Sequence, residues 1–123
     1  MQTVSINAQK EWQVIFNEGT HWRIGIYRPK LRSAAEITEL EQHTCPEAFL
    51  LLEGNLVMVS KNKEGSITET RLEPMQMVVF EEPHAGYSPD GSGVAYVVEN
   101  AKFETQYTDL KSGEALRSVK VGA

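Results

Sequence analysis

Cysteine is almost absent. Cys45 is the only one in 123 residues, so no disulfide can form within the chain and a disulfide-stapled scaffold is excluded. Cations are also scarce: 12 Lys and Arg stand against 17 Asp and Glu, a formal net charge of −5. The densest basic group, Arg28, Lys30 and Arg32, is interrupted by Pro29 and reads as a solvated turn. Nucleic-acid binding draws its affinity from clustered Lys and Arg, so this balance argues against such a partner. No run approaches the roughly 18 apolar residues that span a bilayer, and Met1 to Phe16 carries neither an apolar core nor a small-residue cleavage site of a secretory signal. The expectation is a cytoplasmic protein with no membrane partner.

What is present is a β-rich chain of ordinary globular composition, 41% hydrophobic and 24% charged. Period-two runs predict strands at Trp12–Phe16, Thr20–Tyr27, Ile37–His43, Ala48–Glu53, Leu56–Lys61, Ser66–Leu72, Met77–Glu81, Val94–Glu99 and Phe103–Thr108. Breakers separate them, among them Asn17-Glu18-Gly19, Gly54-Asn55, Glu73-Pro74 and Ser88-Pro89-Asp90-Gly91. Many short strands between such turns predict an all-β sandwich or barrel. The last residues, 111–123, read as one short helix over Lys111 to Val119 or as a loose tail. No repeat or linker divides the chain, and one domain over 1–123 is expected.

The informative stretch runs from Glu41 to Gly54, Glu-Gln-His-Thr-Cys-Pro-Glu-Ala-Phe-Leu-Leu-Leu-Glu-Gly. Alternation places Glu41 and His43 on one strand face. After the bend at Thr44-Cys45-Pro46 a second strand opens on Glu47, with Phe49 and Leu51 on its face. Two carboxylates and an imidazole buried together are costly without a cation, and a divalent metal is the simplest partner.

The same residues resemble the first motif of the cupin family: His-x-His, three or four residues, Glu, six residues, Gly. Here Glu41 stands at the first His position, followed by His43, Glu47 and Gly54. Phe80-Glu81-Glu82-Pro83-His84 is similar to the family's second motif, which supplies one more His after a proline turn. Its Gly-rich lead-in is replaced by Glu73-Pro74-Met75-Gln76, and Ala35 stands for an earlier glycine. The resemblance implies a cupin-type double-stranded β-helix, a jelly-roll barrel, with Glu41, His43, Glu47 and His84 around one divalent ion (Fe, Mn, Zn or Ni). Glu41 is a ligand, an acceptor for His43 or a catalytic general base. The function expected is a metal-dependent isomerase, epimerase, lyase or dioxygenase acting on a small polar metabolite. The alternative is a non-catalytic barrel that binds or senses a small molecule. The resemblance also implies a homodimer built by sheet extension, with which a strand at Val14–Phe16 is compatible.

The remaining candidates have plainer readings. Cys45 is expected as a small buried filler. His21, Arg23 and Tyr27 share a strand face that reads either as a wall of the barrel mouth for an anionic or hydroxylated substrate or as a solvent-exposed face, and the exposed face is expected. Trp12, Trp22, Phe49, Phe80, Tyr96 and Phe103 are expected in the core.

Overall fold

Residues 1–122 are described by a computed structural model. Strand β1 (Trp12–Asn17) turns into β2 (Trp22–Tyr27), and a single 3-10 turn at Ala34–Glu36 precedes β3 (Glu39–His43). Next come β4 (Glu47–Glu53), β5 (Val57–Lys61), β6 (Ile67–Arg71), β7 (Met77–Phe80) and β8 (His84–Tyr87). The chain ends with β9 (Val94–Asn100), β10 (Phe103–Asp109) and β11 (Ala115–Val121). All pairings are antiparallel and build two sheets, in the orders β1-β2-β9-β4-β7 and β11-β10-β3-β8-β5-β6. From β3 onward the chain passes back and forth between the sheets, which is the winding of a jelly roll.

Between the sheets Phe49, Leu56, Met58, Leu72, Phe80, Ala95 and Val97 form the main buried cluster. Strand β4 shows how the sequence fills it: Glu47 and Phe49 are buried and Leu51 half-buried, while Leu50 and Leu52 between them are exposed. The apolar residues thus fill one half of the barrel, and the polar end of the same inward rows forms the other half.

Gly54 makes the turn between β4 and β5 at φ 79°, a conformation that costs an L-residue about 1–3 kcal/mol. A Cβ there would also lie 2.0 Å from the Ser92 carbonyl oxygen, so the cost of a side chain is strain plus a backbone collision. Gly54→Ala is expected to destabilise the fold by more than the ~1 kcal/mol of an ordinary substitution. A chemical denaturation curve with unchanged slope and a lower midpoint checks it.

Two elements depart from expectation. His84–Tyr87 is a strand, although it reads as the tail of a proline turn. Gly86 obscures the β signal there, and it is needed because a Cβ would meet the Tyr27 hydroxyl at 2.8 Å and Met58 Sδ at 3.0 Å. The C-terminal segment is neither helix nor loose tail: Ala115–Val121 pairs with β10 along its length. Asp109 Oδ2 accepts the Lys111 and Ser112 amides and Gly113 takes φ 75°. This turn returns the chain as a hairpin, and tertiary pairing overrides the helix propensity of Glu114-Ala115-Leu116-Arg117. Ala123, the end of that tail, lies outside the described residues. Among the described residues no helix is long and apolar enough to cross a membrane.

Candidate metal centre

Two rows of cross-strand neighbours form the site. On the second sheet Glu41 lies directly opposite His84 on β8 and opposite Tyr107 on β10, and His43 lies opposite Thr105. On the first sheet Arg23 faces Glu99 across β2 and β9, and Glu47 faces Phe80 across β4 and β7. The register of Ala48 with Val98 sets Glu47 beside Glu99. Both rows point inward, so Glu41, His43 and His84 from one sheet meet Glu47 from the other. One potential ligand atom from each of the four lies within 4.8 Å of all the others.

The hydrogen bonds fix which atoms face the centre. His84 Nδ1–H donates to the Glu82 carbonyl at 2.8 Å, since a carbonyl can only accept. In neutral His84 the lone pair is therefore on Nε2, and that atom lies 2.7 Å from Glu47 Oε1. Two acceptors cannot face each other at that distance without a cation between or beside them. A proton or a metal ion meets the requirement. His43 behaves alike: Nδ1 is 2.8 Å from Thr105 Oγ1, while Nε2 is buried without a hydrogen-bond partner, 3.2 Å from Glu47 Oε1 and 3.6 Å from Glu41 Oε1. Glu41 Oε1 is also 4.0 Å from His84 Nε2. Ligand atoms about 2.1 Å from one ion lie at most about 4.2 Å apart, so small side-chain shifts bring this set into a first coordination shell.

Aromatic rings hold the imidazoles in place. Phe80 stacks on His84 at 5.1 Å and Phe49 meets it edge-on at 5.8 Å, while Phe103 packs edge-on against His43 at 4.8 Å. The side chains of His43, Glu47 and His84 are 6%, 5% and 2% exposed, whereas Glu41 at 38% looks onto open space. Three groups are nearly buried, and one reaches solvent.

The electrostatics reflect a cluster that asks for positive charge. Burial works to lower the His43 pKa, but the carboxylates of Glu41 and Glu47 prevail and push it up to about 10. Burial likewise opposes the charge on Glu47, yet the His43 and His84 imidazoles beside it hold its carboxyl well below the usual range. Behind it Glu99 is raised to about 8 by burial and by the Glu47 carboxylate, against the pull of Arg23. The donor set is two imidazole nitrogens and two carboxylates, with an orphaned buried nitrogen at its centre, and it fits a divalent cation.

Thr105 had no motif to announce it and is legible only through the register of β10 on β3. Its hydroxyl steers the His43 ring, and losing such an outer partner typically costs 10–100-fold in metal affinity. Thr105→Val is expected to weaken Mn2+ or Zn2+ binding by about that factor with the melting temperature of the metal-free protein little changed. Competition titration against a chelating dye is the measurement.

The cluster opens into a cavity of about 440 Å³ lined by Trp12, Arg23, Tyr27, Phe103 and Tyr107 among others. This corrects three expectations. Arg23 and Tyr27 line the cavity rather than an exposed face, whereas His21 does stand in solvent with its side chain 80% exposed. Trp12 and Phe103 are cavity walls rather than core, with the Arg23 guanidinium 5.8 Å from the Trp12 ring and 5.2 Å from the Phe103 ring. Trp12 can lie flat across β2 only because Gly25 is beneath it: a Cβ there would sit 2.1 Å from the indole. Trp22 is 42% exposed, and Cys45 is buried as expected. Glu99 was missed as well. Its signal was its parity with Ala95 and Val97, which places a carboxylate at the end of an inward-facing apolar row.

No family model and no curated protein matches the chain. Solved structures do match in fold. The DMSP lyase DddQ of Ruegeria pomeroyi superposes with a TM-score of 0.55 at 18% identity, over 72% of this chain and 45% of the lyase. Hydroxypropylphosphonic acid epoxidase from S. wedmorenis gives 0.54 at 18% identity, over 72% of this chain and 49% of the epoxidase. A cupin-2 domain containing protein from Shewanella frigidimarina gives 0.52 at 15% identity, over 77% of this chain and 84% of that protein. The chain thus spans about half the length of the two enzymes and most of the small cupin. The likeness is one of fold, and that fold is the cupin jelly-roll barrel.

Proposed function

We propose that this chain is a metal-dependent cupin in which Glu41, His43, Glu47 and His84 hold one divalent ion and that it acts on a small polar metabolite. The observation that carries the reading is the pair of inward-facing imidazole nitrogens. His84 Nε2 sits 2.7 Å from a carboxylate oxygen while its Nδ1–H is committed to a carbonyl, and His43 Nε2 is buried without a partner. Proteins of this fold include Fe(II)-HppE with an alternative substrate and Co(II) HppE in complex with substrate, which supports a metal here without naming which. A bound divalent ion supplies Lewis acidity toward a carbonyl or hydroxyl oxygen.

The chain's own residues supply the rest. His43, Glu47 and His84 are nearly buried and serve as anchors. Glu41 is the most exposed member of the cluster, at 38% against 6% or less for the other three, so it is placed to take or return a proton on a substrate held beside it. The Tyr107 phenol faces Glu41, and burial and that carboxylate together raise its pKa, which keeps it a neutral hydrogen-bond donor. Trp12, Phe49 and Phe103 exclude water from the inner wall. This arrangement suits proton transfer next to a carbonyl, the step shared by isomerases, epimerases and lyases. A divalent ion held by the same four residues would also supply the chemistry of a dioxygenase.

Metal content after purification without a histidine tag is the test. Stoichiometric Fe, Mn, Zn or Ni supports the proposal. Metal-free protein that also takes up none on titration overturns it and leaves the second reading, a non-catalytic barrel binding a small molecule in the aromatic-walled cavity.

A further inference from the structure

One side chain in the cavity carries donors that neither the fold nor the metal centre uses. Arginine presents five N–H groups in a planar fork. Arg23 Nε donates to Glu99 Oε2 at 2.7 Å, and Nη2 lies 2.6 Å from the same oxygen. Glu99 thereby occupies the side of the fork shared by Nε and Nη2. The end of the fork, where Nη1 and Nη2 present parallel N–H bonds, has no hydrogen-bond partner among the described residues. Yet the side chain is only 13% exposed, with the Trp12 and Phe103 rings against it. Donors withdrawn from bulk water without an acceptor are costly, so this end of the fork calls for one. Among the described residues Arg23 is also the only Lys or Arg on the cavity wall. Most carboxylates that share the wall are engaged: Glu99 by Arg23, Glu39 by both amino groups of Arg117, and Glu41 and Glu47 at the metal centre.

We infer that the cavity takes a small monocarboxylate, whose carboxylate pairs with the free end of the Arg23 fork and whose carbonyl or hydroxyl group turns toward Glu41 and the metal centre. This deepens the proposed function and rests on it for the reacting end of the ligand. Two parallel N–H groups match the two oxygens of a carboxylate, and such paired, charge-assisted bonds are among the strong ones in proteins. The Trp12 and Phe103 rings keep water from the guanidinium, which strengthens the pairing further. A single cation limits the ligand to one negative charge. The second charge of a phosphate or dicarboxylate would lie among the carboxylates of Glu47 and Glu99, and a cationic ligand would have to lie against the guanidinium. Phe103 sets the scale of the molecule. Its ring is 5.2 Å from the Arg23 guanidinium and 4.8 Å from the His43 imidazole, so a short carbon chain lying along it reaches from one to the other. A cavity of about 440 Å³ holds such a molecule.

Heteronuclear NMR of the full chain, titrated with butanoate in zinc-loaded and in chelator-treated protein, reads the outcome. The two tryptophans give an internal control, since Trp12 lines the cavity and Trp22 stands outside it, 42% exposed. Butanoate is expected to shift the Arg23 Nε–H and Trp12 indole N–H resonances and to leave the Trp22 indole where it is. Butanamide (the same shape without the charge), butylammonium and inorganic phosphate are each expected to bind at least tenfold more weakly. Arg23→Gln alone would strand the buried Glu99 carboxylate, so it is combined with Glu99→Gln, which leaves two amides able to bond to each other. The double variant, checked for folding by circular dichroism, is expected to lose at least tenfold in butanoate affinity. Arg23→Lys keeps the charge but not the fork and is expected to lose affinity as well. The inference is overturned if butanoate leaves Arg23 and Trp12 unmoved, or if any of the three other probes binds as tightly. It is also overturned if the double variant binds butanoate as well as the unaltered protein. Zinc uptake is measured on the same samples. A chain that takes up no metal but holds butanoate at Arg23 overturns the proposed function and keeps the carboxylate site. A chain that binds zinc and holds butanoate without regard to Arg23 overturns the carboxylate site and keeps the metal centre.

Discussion

Glu47→Gln is expected to weaken divalent-metal affinity by more than the 10–100-fold that an outer hydrogen-bond partner costs, with the barrel intact. Glu47 is 4% exposed, and its Oε1 is the one oxygen within 3.2 Å of both inward-facing imidazole nitrogens. An amide has the same shape, so the packing of Phe49 and Phe80 around it survives. It carries no charge and is a poor metal ligand, so two buried imidazoles lose the anion that balances a dication between them. Calorimetric titration with Mn2+ or Zn2+ measures the change. Near-UV circular dichroism of the metal-free variant reports the fold. An affinity equal to that of the unaltered protein would put Glu47 outside the coordination shell and remove the centre of the proposal. Glu41→Gln separates the roles of the two carboxylates. At 38% exposure it is expected to lose less affinity than Glu47→Gln and, if Glu41 moves the proton, to lose turnover out of proportion to metal binding.

Metal should raise the melting temperature by an amount that grows with pH. In the metal-free protein His43 is held at about 10, above its unfolded value of about 6.5. Its contribution to stability is therefore complete below about 6.5 and lost as pH rises through about 10. Glu99 acts in the same direction. Held at about 8, it keeps a proton that the unfolded chain has released, so stability falls as pH climbs toward that value. Glu47 has the opposite sign: its depressed pKa stabilises the fold above about 4.5 and is lost in stronger acid. Metal-free stability should thus peak in mild acid and decline on the alkaline side. A metal ion takes the place of those protons, so the gap between loaded and chelator-treated protein is expected to widen from about pH 6 to about pH 9. Free metal at a hundredfold excess over its dissociation constant adds about 2.7 kcal/mol, on the order of 10 °C for a chain of this size. Differential scanning calorimetry across pH tests it, and coincident curves at every pH would show that no metal is linked to folding.

Much of the site is legible in the sequence because its residues sit close together in the chain. Glu41, His43 and Glu47 fall on two strands joined by a tight bend, where period-two alternation determines facing and seven residues determine proximity. His84 is placed by its proline turn and by the motif it resembles. The barrel and most of its strands follow from alternation and breakers, since a half-buried strand must write its face into its sequence. The strands that escape, β8 and β11, are those whose residues lack that signature. Gly86 dilutes the one, and the other is exposed along nearly all of its length, so no apolar row was required of it.

The partners beyond the motif depend on register. Thr105 behind His43, Glu99 behind Glu47 and Arg23 behind Glu99 are 62, 52 and 76 residues from the groups they serve, and nothing local marks them. Arg23 illustrates the difference. On β2 its alternation shows only that it shares a face with Gly25 and Tyr27; whether that face is inside or outside the barrel depends on which side the other sheet lies. Alternation along a strand is a local steric property and can be read from neighbours. The choice of buried face, and the residues that meet across it, comes from the pairing of distant strands, which only the folded chain supplies.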